Sequence, residues 1–234
     1  MQRYFSNQLD NNKLILSSDD WYHIKTVMRM NNHDQIEVVY DTEVYLCEID
    51  NQDIKIINKL EKKIDNNKKI ILVIPLLREN KMDLVLQKAT ELGVNTIIPI
   101  KTERSIVQID KDKENKKIIR WTRICKEASE QSHRTDIPIV TEIKNLNSLE
   151  NIDGLKIVCS TREDKVSLKK ILTKHENYDR IIIVIGPEGG LSNDEENYLI
   201  KIGFNPVTLG NRIMRVETVP IFLLSVLNYE YMEW

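Results

Sequence analysis

Two glycine-bearing segments, each placed directly after an apolar run, restrict the possible folds of this chain more than any other feature. The first is GPEGGLSNDEE at 186–196, and the second is LGNRIMRVET at 209–218. The run before the first segment, Arg180–Ile185, has the length and β-branched content of a strand that is buried on both faces. Glycine adopts left-handed backbone conformations freely and lets backbone amides approach a ligand closely. A strand, such a loop and then a helix form a ligand-binding unit of α/β folds.

Helix signals follow both loops. Ser192 and Glu195 have the spacing of a capping box, which predicts a helix that starts after Ser192 and ends near Gly203. The second loop follows the apolar stretch 206–209 and precedes a predicted helix over 216–234. Because loops on neighbouring strands can share one ligand, the sequence predicts a small-molecule site built from both.

The loops differ from the common nucleotide-binding motifs. Neither contains GxGxxG or the phosphate-binding pattern GxxxxGK followed by Ser or Thr, which disfavours an enzyme that uses nicotinamide or ATP. Cys47, Cys125 and Cys159 are far apart without a CxxC pair, and the histidines show no metal-ligand spacing. We therefore expect neither a disulfide framework nor a metal site.

Residues 1–69 have the pattern of a small β domain. Apolar stretches of strand length occur at Arg3–Phe5, Lys13–Leu16, Gln35–Tyr40, Val44–Ile49 and Ile54–Leu60. Asp41–Glu43 is short enough for a hairpin turn, and Ser18 is the predicted N-cap of a helix over Asp19–Met30. The lysine-rich stretch Lys62–Lys69 has almost no apolar anchors and is the predicted linker. We expect a small barrel with one helix.

From residue 70 onward, strand and helix patterns alternate. Ile70–Pro75 is a predicted buried strand, Asn80 is the predicted N-cap of an amphipathic helix that Gly93 ends, and Val94–Ile100 is the next strand. This alternation predicts an α/β fold with a mostly parallel sheet and helices on both faces. Ligands of such sheets bind at the carboxyl ends of the strands, where both glycine loops are expected.

Composition and charge add limits of their own. Hydrophobic residues make up 41% of the 234 residues, which suffices for a real core. The formal net charge of −2 gives little support for RNA binding, so any RNA contact depends on locally placed arginine and lysine. The longest apolar run, Ile70–Leu77, is too short to cross a bilayer, and Met1–Phe5 lacks the apolar region of a signal peptide. We expect a cytoplasmic protein without membrane contact.

Short motifs spread over nearly the whole chain carry a family resemblance. They are Arg3–Phe5, His23 with Val27–Arg29, Gln87–Gly93, Thr102–Ser105, Arg120–Trp121, Glu127–Ser132 with Arg134 and Pro138, and the two glycine loops. In this combination the chain resembles the ribosomal RNA small subunit methyltransferase E family of the SPOUT superfamily. The chain departs from the residues usual in that family at Leu191, Val216, Val219 and Asn32–His33, and none of these departures removes a polar group with an obvious catalytic role.

The resemblance implies a fold and a reaction. It implies a SPOUT-type domain at 70–234, whose parallel sheet carries a C-terminal trefoil knot over about 181–218, and a PUA-like, RNA-binding β-barrel at 1–69. It implies S-adenosylmethionine as cofactor, N3 of a uridine in 16S rRNA of the small ribosomal subunit as the methylated atom, and a homodimer. The cofactor-binding residues that it implies are Thr161, Gly186, Pro187, Glu188, Gly189, Leu209, Gly210, Ile213 and Met214. The apolar side chains of Ile213 and Met214 are expected in the core, with their backbone toward the cofactor.

Methylation of N3 requires that the uridine lose a proton, so a nearby cation that stabilises negative charge on the base would assist. Arg215 is the candidate for that cation, and Glu217 would orient it or accept the proton. A surface salt bridge at a helix start is the alternative role for this pair.

Candidate RNA contacts come from both parts of the chain. Glu127, Gln131 and Arg134 are spaced by four and three residues, which predicts one helix face. Together with the barrel, the candidates are Arg3, Lys25, Arg29, Arg104, Gln131 and Arg134. A solvated face without RNA is the alternative.

Two other functions remain open from the sequence. One is a SPOUT-fold module that binds RNA or assists ribosome assembly without activity, and the other is a methyltransferase that acts on tRNA. The identity of the general base also stays open.

Overall fold

The structure is a computed structural model, and it describes residues 1–11, 13–61, 68–175 and 178–231. The chain divides into two compact units, one formed by residues 1–64 and 126–137 and the other by residues 65–125 and 138–234. No local sequence pattern had assigned residues 126–137 to the first unit. Most of the predicted linker Lys62–Lys69 lies outside the described residues.

The first unit contains a six-stranded sheet. Its strands are β1 (Arg3–Phe5), β2 (Gln8–Asp10), β3 (Lys13–Ile15), β4 (Gln35–Tyr40), β5 (Glu43–Asp50) and β6 (Asp53–Leu60), in the order β1-β4-β5-β6-β3-β2. Asp41 and Thr42 connect β4 to β5 with φ angles of 49° and 62°. Two left-handed residues in succession match the twist of an antiparallel hairpin, so the predicted turn is confirmed.

The helical segment of the first unit starts one residue earlier than predicted. Helix α1 covers Ser18–Tyr22 and continues as a π-helical turn over His23–Val27. Its N-cap is Ser17 rather than Ser18, because Asp20 stands three residues after Ser17 and completes a capping box with it. Ile24 is fully buried, in a core with Tyr4 and apolar strand residues.

The second unit is built on a six-stranded parallel sheet, as the alternating pattern predicted. Its strands are β7 (Lys69–Pro75), β8 (Thr96–Ile100), β9 (Ile139–Val140), β10 (Leu155–Cys159), β11 (Arg180–Val184) and β12 (Asn205–Val207), in the order β12-β10-β11-β7-β8-β9. Consecutive residues such as Leu72 and Val73 are both fully buried, so both faces of the sheet are covered.

Helices connect most of these strands, and one more helix follows β12. They are α2 (Glu79–Glu91), α3 (Lys111–Gln131), α4 (Leu168–Lys174), α5 (Asn193–Lys201) and α6 (Thr218–Tyr231). Helix α2 begins after Arg78 without a side-chain cap, so Asn80 is not its N-cap. Gly93 and Gly203 follow α2 and α5 with φ angles of 84° and 95°, the left-handed conformation that commonly ends a helix.

Helix α6 starts at Thr218, two residues later than predicted, and is described to Tyr231, so the predicted end at 232–234 lies outside the described residues. Within the described residues, no helix is both long and apolar enough to cross a membrane.

Candidate active site

A cavity of about 1010 Å³ lies at the carboxyl ends of the parallel strands of the second unit. The loops after β10, β11 and β12 form most of its wall. It brings together all nine predicted cofactor-binding residues, Thr161, Gly186, Pro187, Glu188, Gly189, Leu209, Gly210, Ile213 and Met214, with Arg104 and Arg215. The two glycine loops therefore face one shared space.

The first glycine loop folds tightly back on itself. The backbone N–H of Gly190 donates to the carbonyl oxygen of Pro187 at 2.8 Å, and Gly190 has a φ of 69°. Arg104 donates from Nη1 to the carbonyl oxygen of Gly189 at 3.1 Å, so this arginine, predicted to contact RNA, buttresses the loop. The backbone of 186–190 is thereby held at the cavity wall.

A capping box fixes the end of the first loop, as predicted. The side chain of Ser192 accepts from the backbone N–H of Glu195, and the Glu195 carboxylate accepts from the N–H of Ser192 at 2.8 Å. The same carboxylate accepts from the backbone N–H of Glu103 at 2.8 Å. One glutamate therefore ties the start of α5 to the loop after β8.

The second glycine loop is anchored at its start, exposed in its middle part and buried again at Val216. The N–H of Thr208 donates to the carbonyl oxygen of Val166 at 2.9 Å. Gly210 has a φ of 116°, which only glycine adopts easily. Ile213 is 87% exposed and Met214 is half-buried, so the expectation that both side chains belong to the core was wrong. The middle of the loop follows the cavity rim, where the side chain of Ile213 is exposed.

Lys81 lies between two carboxylates, one near each glycine loop. Its Nζ is 2.8 Å from Oε1 of Glu188 and 3.4 Å from Oε2 of Glu217. The hydrogen bond to Glu188 is the main reason that the pKa of Lys81 is raised. Burial is the largest single influence on the pKa of Glu188 and raises it, but the hydrogen bond to Lys81, a backbone hydrogen bond and the charges of Lys81 and Arg78 together hold that pKa below its usual value.

Arg215 projects from the cavity rim as an exposed side chain. Within the described residues, its guanidinium makes no hydrogen bond or ion pair, and the partner of Glu217 is Lys81. The predicted orientation of Arg215 by Glu217 is therefore not seen. The backbone carbonyl of Arg215 accepts from the N–H of Thr218 at 2.9 Å, so Arg215 is fixed at the start of α6.

A second charged group, which was not predicted from the sequence, lines the cavity where the loop after β10 meets α5. Ser160 donates from Oγ to Oε1 of Glu196 at 2.7 Å, and Arg162 pairs with the other carboxylate oxygen. Glu196 is 9% exposed, and the ion pair with Arg162 compensates its burial. The position of Arg162, directly after Thr161 at the end of β10, was the available signal.

Cysteine chemistry is disfavoured in this cavity. Cys159 lines it, and burial raises the pKa of its thiol to about 12. A thiol with this pKa stays protonated near neutral pH, whereas the thiolate is the nucleophile. Among the described residues there is also no group of three or more His, Cys, Asp or Glu side chains placed to hold a metal ion.

Two predicted RNA contacts in the first unit are buried in ion pairs. Arg3 is paired with Glu37 at 2.6 Å with 10% of its side chain exposed. Arg134 is 5% exposed and pairs with Asp136 at 2.9 Å. Helix α3 ends at Gln131, and Arg134 turns inward after it, so the expected single helix face from Glu127 to Arg134 was wrong.

The remaining candidates in the first unit are accessible. Lys25, Arg29 and Gln131 are exposed, and Lys25 and Arg29 line an open depression. The ammonium group of Lys25 lies 5.8 Å from the ring centre of Trp21, within the range of a cation–π contact. Basic groups beside an aromatic ring can contact phosphates and stack on bases.

Comparison with known proteins assigns a class to this fold and site. The model of the RNA methyltransferase domain matches residues 64–228, and that of the RNA methyltransferase PUA domain matches residues 19–57. The first of these matches covers the whole cavity wall, so the parallel sheet and its two glycine loops are those of an RNA methyltransferase.

Full-length relatives identify the family within this class. Ribosomal RNA small subunit methyltransferase E of Mesomycoplasma hyopneumoniae is 34% identical over 96% of this chain and 98% of its own. The protein of the same name from Bacillus subtilis is 32% identical over 98% of this chain and 97% of its own. The crystal structure of the Neisseria gonorrhoeae namesake bound to S-adenosyl methionine is similar, with a TM-score of 0.88 and 26% identity over 99% of this chain and 98% of that one. The chain belongs to the ribosomal RNA small subunit methyltransferase E family.

Proposed function

We propose that this protein transfers a methyl group from S-adenosylmethionine to N3 of a uridine in 16S rRNA of the small ribosomal subunit. The proposal rests on family membership. The structural observation that carries it is that the two glycine loops line the same cavity. A methyltransferase of this kind needs the cofactor held in a fixed shape beside an open rim that the RNA base can reach.

The residues present fit S-adenosylmethionine. The cavity of about 1010 Å³ is large enough for a ligand of that size. Backbone groups of Gly186–Gly189 and of Leu209, Gly210 and Met214 line it, together with Thr161. Glu163 adds a carboxylate to the lining, and backbone hydrogen bonds from Lys165 and Val166 lower its pKa. Negative charge at this place suits a cationic ligand. When bound, S-adenosylmethionine supplies a methyl group on a positively charged sulfur.

A trefoil knot over about 181–218 is part of the proposal. The second glycine loop starts beside Val166 after β10 and ends with Glu217 beside Lys81 after β7. Strand β12 is at one edge of the sheet, with β10 and β11 between it and β7. The loop thus passes the carboxyl ends of several strands, as a chain threaded through a knot would.

Arg215 would stabilise the negative charge that develops on the uridine carbonyl oxygens as N3 loses its proton. Its guanidinium is exposed at the rim and makes no ion pair within the described residues, so it is available to the base. Glu217 would support Arg215 indirectly, because its contact with Lys81 fixes the start of α6 from which Arg215 projects. The proton would leave to Glu217 or to solvent.

RNA binding in this proposal uses the exposed Lys25, Arg29 and Gln131 of the first unit and Arg104 of the second. Individual phosphate contacts of this kind are weak and sensitive to salt. The cytoplasm, where small ribosomal subunits are available, is the proposed location.

The proposed enzyme is a homodimer, in which the partner is a second copy of this chain. Phe222 and Tyr229 stand seven residues apart on α6, hence on one helix face, and are 38% and 87% exposed. Ile213, in the second glycine loop, is 87% exposed, as Tyr229 is. Exposed apolar side chains that share one helix face form the kind of contiguous patch that marks an interface. Sedimentation velocity of wild type and Tyr229→Asp tests the dimer, which the substitution should dissociate.

The function is tested with purified protein, unmodified small ribosomal subunits and isotope-labelled S-adenosylmethionine, followed by RNA digestion and mass spectrometry. Labelled 3-methyluridine supports the proposal. Label in tRNA alone would favour the tRNA enzyme, and cofactor binding without transfer to any RNA would favour a module without activity.

A further inference from the structure

The Lys81 side chain joins segments that are far apart in the sequence. It lies in the first turn of α2, which follows β7, while Glu188 belongs to the first glycine loop and Glu217 precedes α6. The side chains of Lys81, Glu188 and Glu217 are 27%, 30% and 16% exposed, so all three are partly shielded from water. One cation thus serves two carboxylates at the cavity.

Helix packing sets the distance between Lys81 and Glu217. Leu92 follows Lys81 by eleven residues, and Asn228 follows Glu217 by the same number. The side-chain amide of Asn228 donates to the carbonyl oxygen of Leu92 at 3.0 Å. Equal spacing at both contacts means that α2 and α6 pack in parallel and in fixed register. Glu217 is therefore brought to Lys81 by the body of two helices.

The sheet order shows what this contact holds. The second glycine loop is anchored near β10 at Thr208 and, on the far side of the cavity, by the buried Val216 and the ion pair of Glu217. Between these two ends Gly210 and Ile213 are exposed. Lys81 therefore contacts the held far end of the second loop and, through Glu188, ties the first glycine loop to it.

We propose that Lys81 is a positioning residue that ties the first glycine loop, through Glu188, to α2 and to the end of the second loop at Glu217, and so keeps the cavity at the width that S-adenosylmethionine needs; this rests on the function proposed above. Without the ammonium group, Glu188 and Glu217 lose their shared counter-charge, and the first glycine loop loses its tie to α2, while the buried Val216 and the packing of α6 keep the end of the second loop in place. A preorganised cavity binds more tightly because less ordering accompanies binding. Partly exposed ion pairs contribute little to global stability, so the effect should appear in cofactor binding.

The test compares wild type with Lys81→Met, Lys81→Arg and Lys88→Met in the full chain. Lys88 is a matched control, because it forms a partly exposed ion pair with Glu91 on the same helix but does not line the cavity. Affinity for S-adenosylmethionine is measured by titration calorimetry without RNA, and thermal melting follows folding. Steady-state kinetics with small subunits then separate KM for the cofactor from kcat.

Lys81→Met should weaken cofactor binding by about tenfold and raise KM by a similar factor, with kcat changed by less than about threefold and melting unchanged. Lys81→Arg should restore binding, and Lys88→Met should behave as wild type. Glu188→Gln combined with Lys81→Met should cost less than the product of the single effects, because the two residues act as a pair.

Unchanged cofactor affinity in Lys81→Met would overturn the proposal, as would an equal loss in Lys88→Met. A melting temperature that falls together with affinity in Lys81→Met and is not restored by Lys81→Arg would reduce Lys81 to a structural role. Since binding is measured without RNA, a wild type that binds the cofactor but does not methylate ribosomal RNA would contradict the proposed function alone.

Discussion

Gly186 has no room for a β-carbon, because the backbone nitrogen of Leu191 lies 2.9 Å from the position that this atom would occupy. The obstacle is backbone of the first glycine loop itself, where the loop folds back at Leu191, and backbone cannot rotate away as a side chain can. The glycine is therefore required by the closure of the loop, independently of any bound ligand.

Gly186→Ala should accordingly open the loop. We expect a loss of about 1–3 kcal/mol in the free energy of unfolding, typical of overpacking, and weaker binding of S-adenosylmethionine. Gly189→Ala is the control, since its added carbon meets only the side chain of Arg104, at 3.4 Å. Urea denaturation and calorimetry of both variants check this. Equal stability of the two would contradict the steric argument.

Arg215→Ala should lower kcat for methyl transfer by about 10²–10³, the usual effect of removing one group that stabilises developing charge. Melting temperature should not change, because the exposed guanidinium makes no ion pair or hydrogen bond within the described residues. The measurement is the rate of 3-methyluridine formation at saturating cofactor. A rate within threefold of wild type would remove Arg215 from the mechanism.

The start of α5 provides a test of the capping box. Ser192→Ala removes a side chain that accepts from the N–H of Glu195, which should cost about 1 kcal/mol of stability. Ser148→Ala is the control, because in the described part of the chain its exposed hydroxyl bonds only to the carbonyl oxygen of Asn145. Urea denaturation measures both. Indistinguishable midpoints would show that the Glu195 contact with Glu103 suffices alone.

Stability of the first unit should depend on pH through Glu130. Burial raises the pKa of this carboxyl from 4.5 to about 7, although Lys126 at 3.4 Å acts in the opposite direction. Asp20 and Glu127 add like charge. Between these two pH values the folded state holds a proton that the unfolded state has released, so stability is lost as pH rises from about 4.5 to 7.

Glu130→Gln removes this dependence while keeping the shape of the side chain. Between pH 4.5 and 7, the stability of wild type should fall relative to the variant by about 1–3 kcal/mol. Urea denaturation at several pH values measures the difference. Parallel pH profiles for the two proteins would exclude Glu130 as the titrating group.

Local signals in the sequence predicted local structure well. Ser192 and Glu195 are three residues apart, and Gly93 and Gly203 stand directly after helices, so each signal acts within one turn of chain. The N-cap of α1 was predicted one residue too late, because two neighbouring serines carry the same N-cap signal. Ser17 and Ser18 are both good N-caps, and the position of Asp20 decided between them.

The contacts that complete the site could not be predicted in the same way. More than half the chain separates Lys81 from Glu217, and their contact depends on the register of two packed helices. Arg134 has helical spacing from Gln131, but α3 ends there and the backbone of His133 takes a φ of 59°. Periodicity describes a helix and cannot say where tertiary packing ends it.

The parallel register of α2 and α6 restricts the length of both helices rather than their composition. Inserting one residue into α2 between Lys81 and Leu92 would rotate one contact by about 100° and shift it by about 1.5 Å relative to the other. Only one of the two contacts to α6 could then form. Homologous chains should therefore differ freely at exposed positions of α2, such as Leu84, yet place their insertions and deletions in the loops outside these two helices.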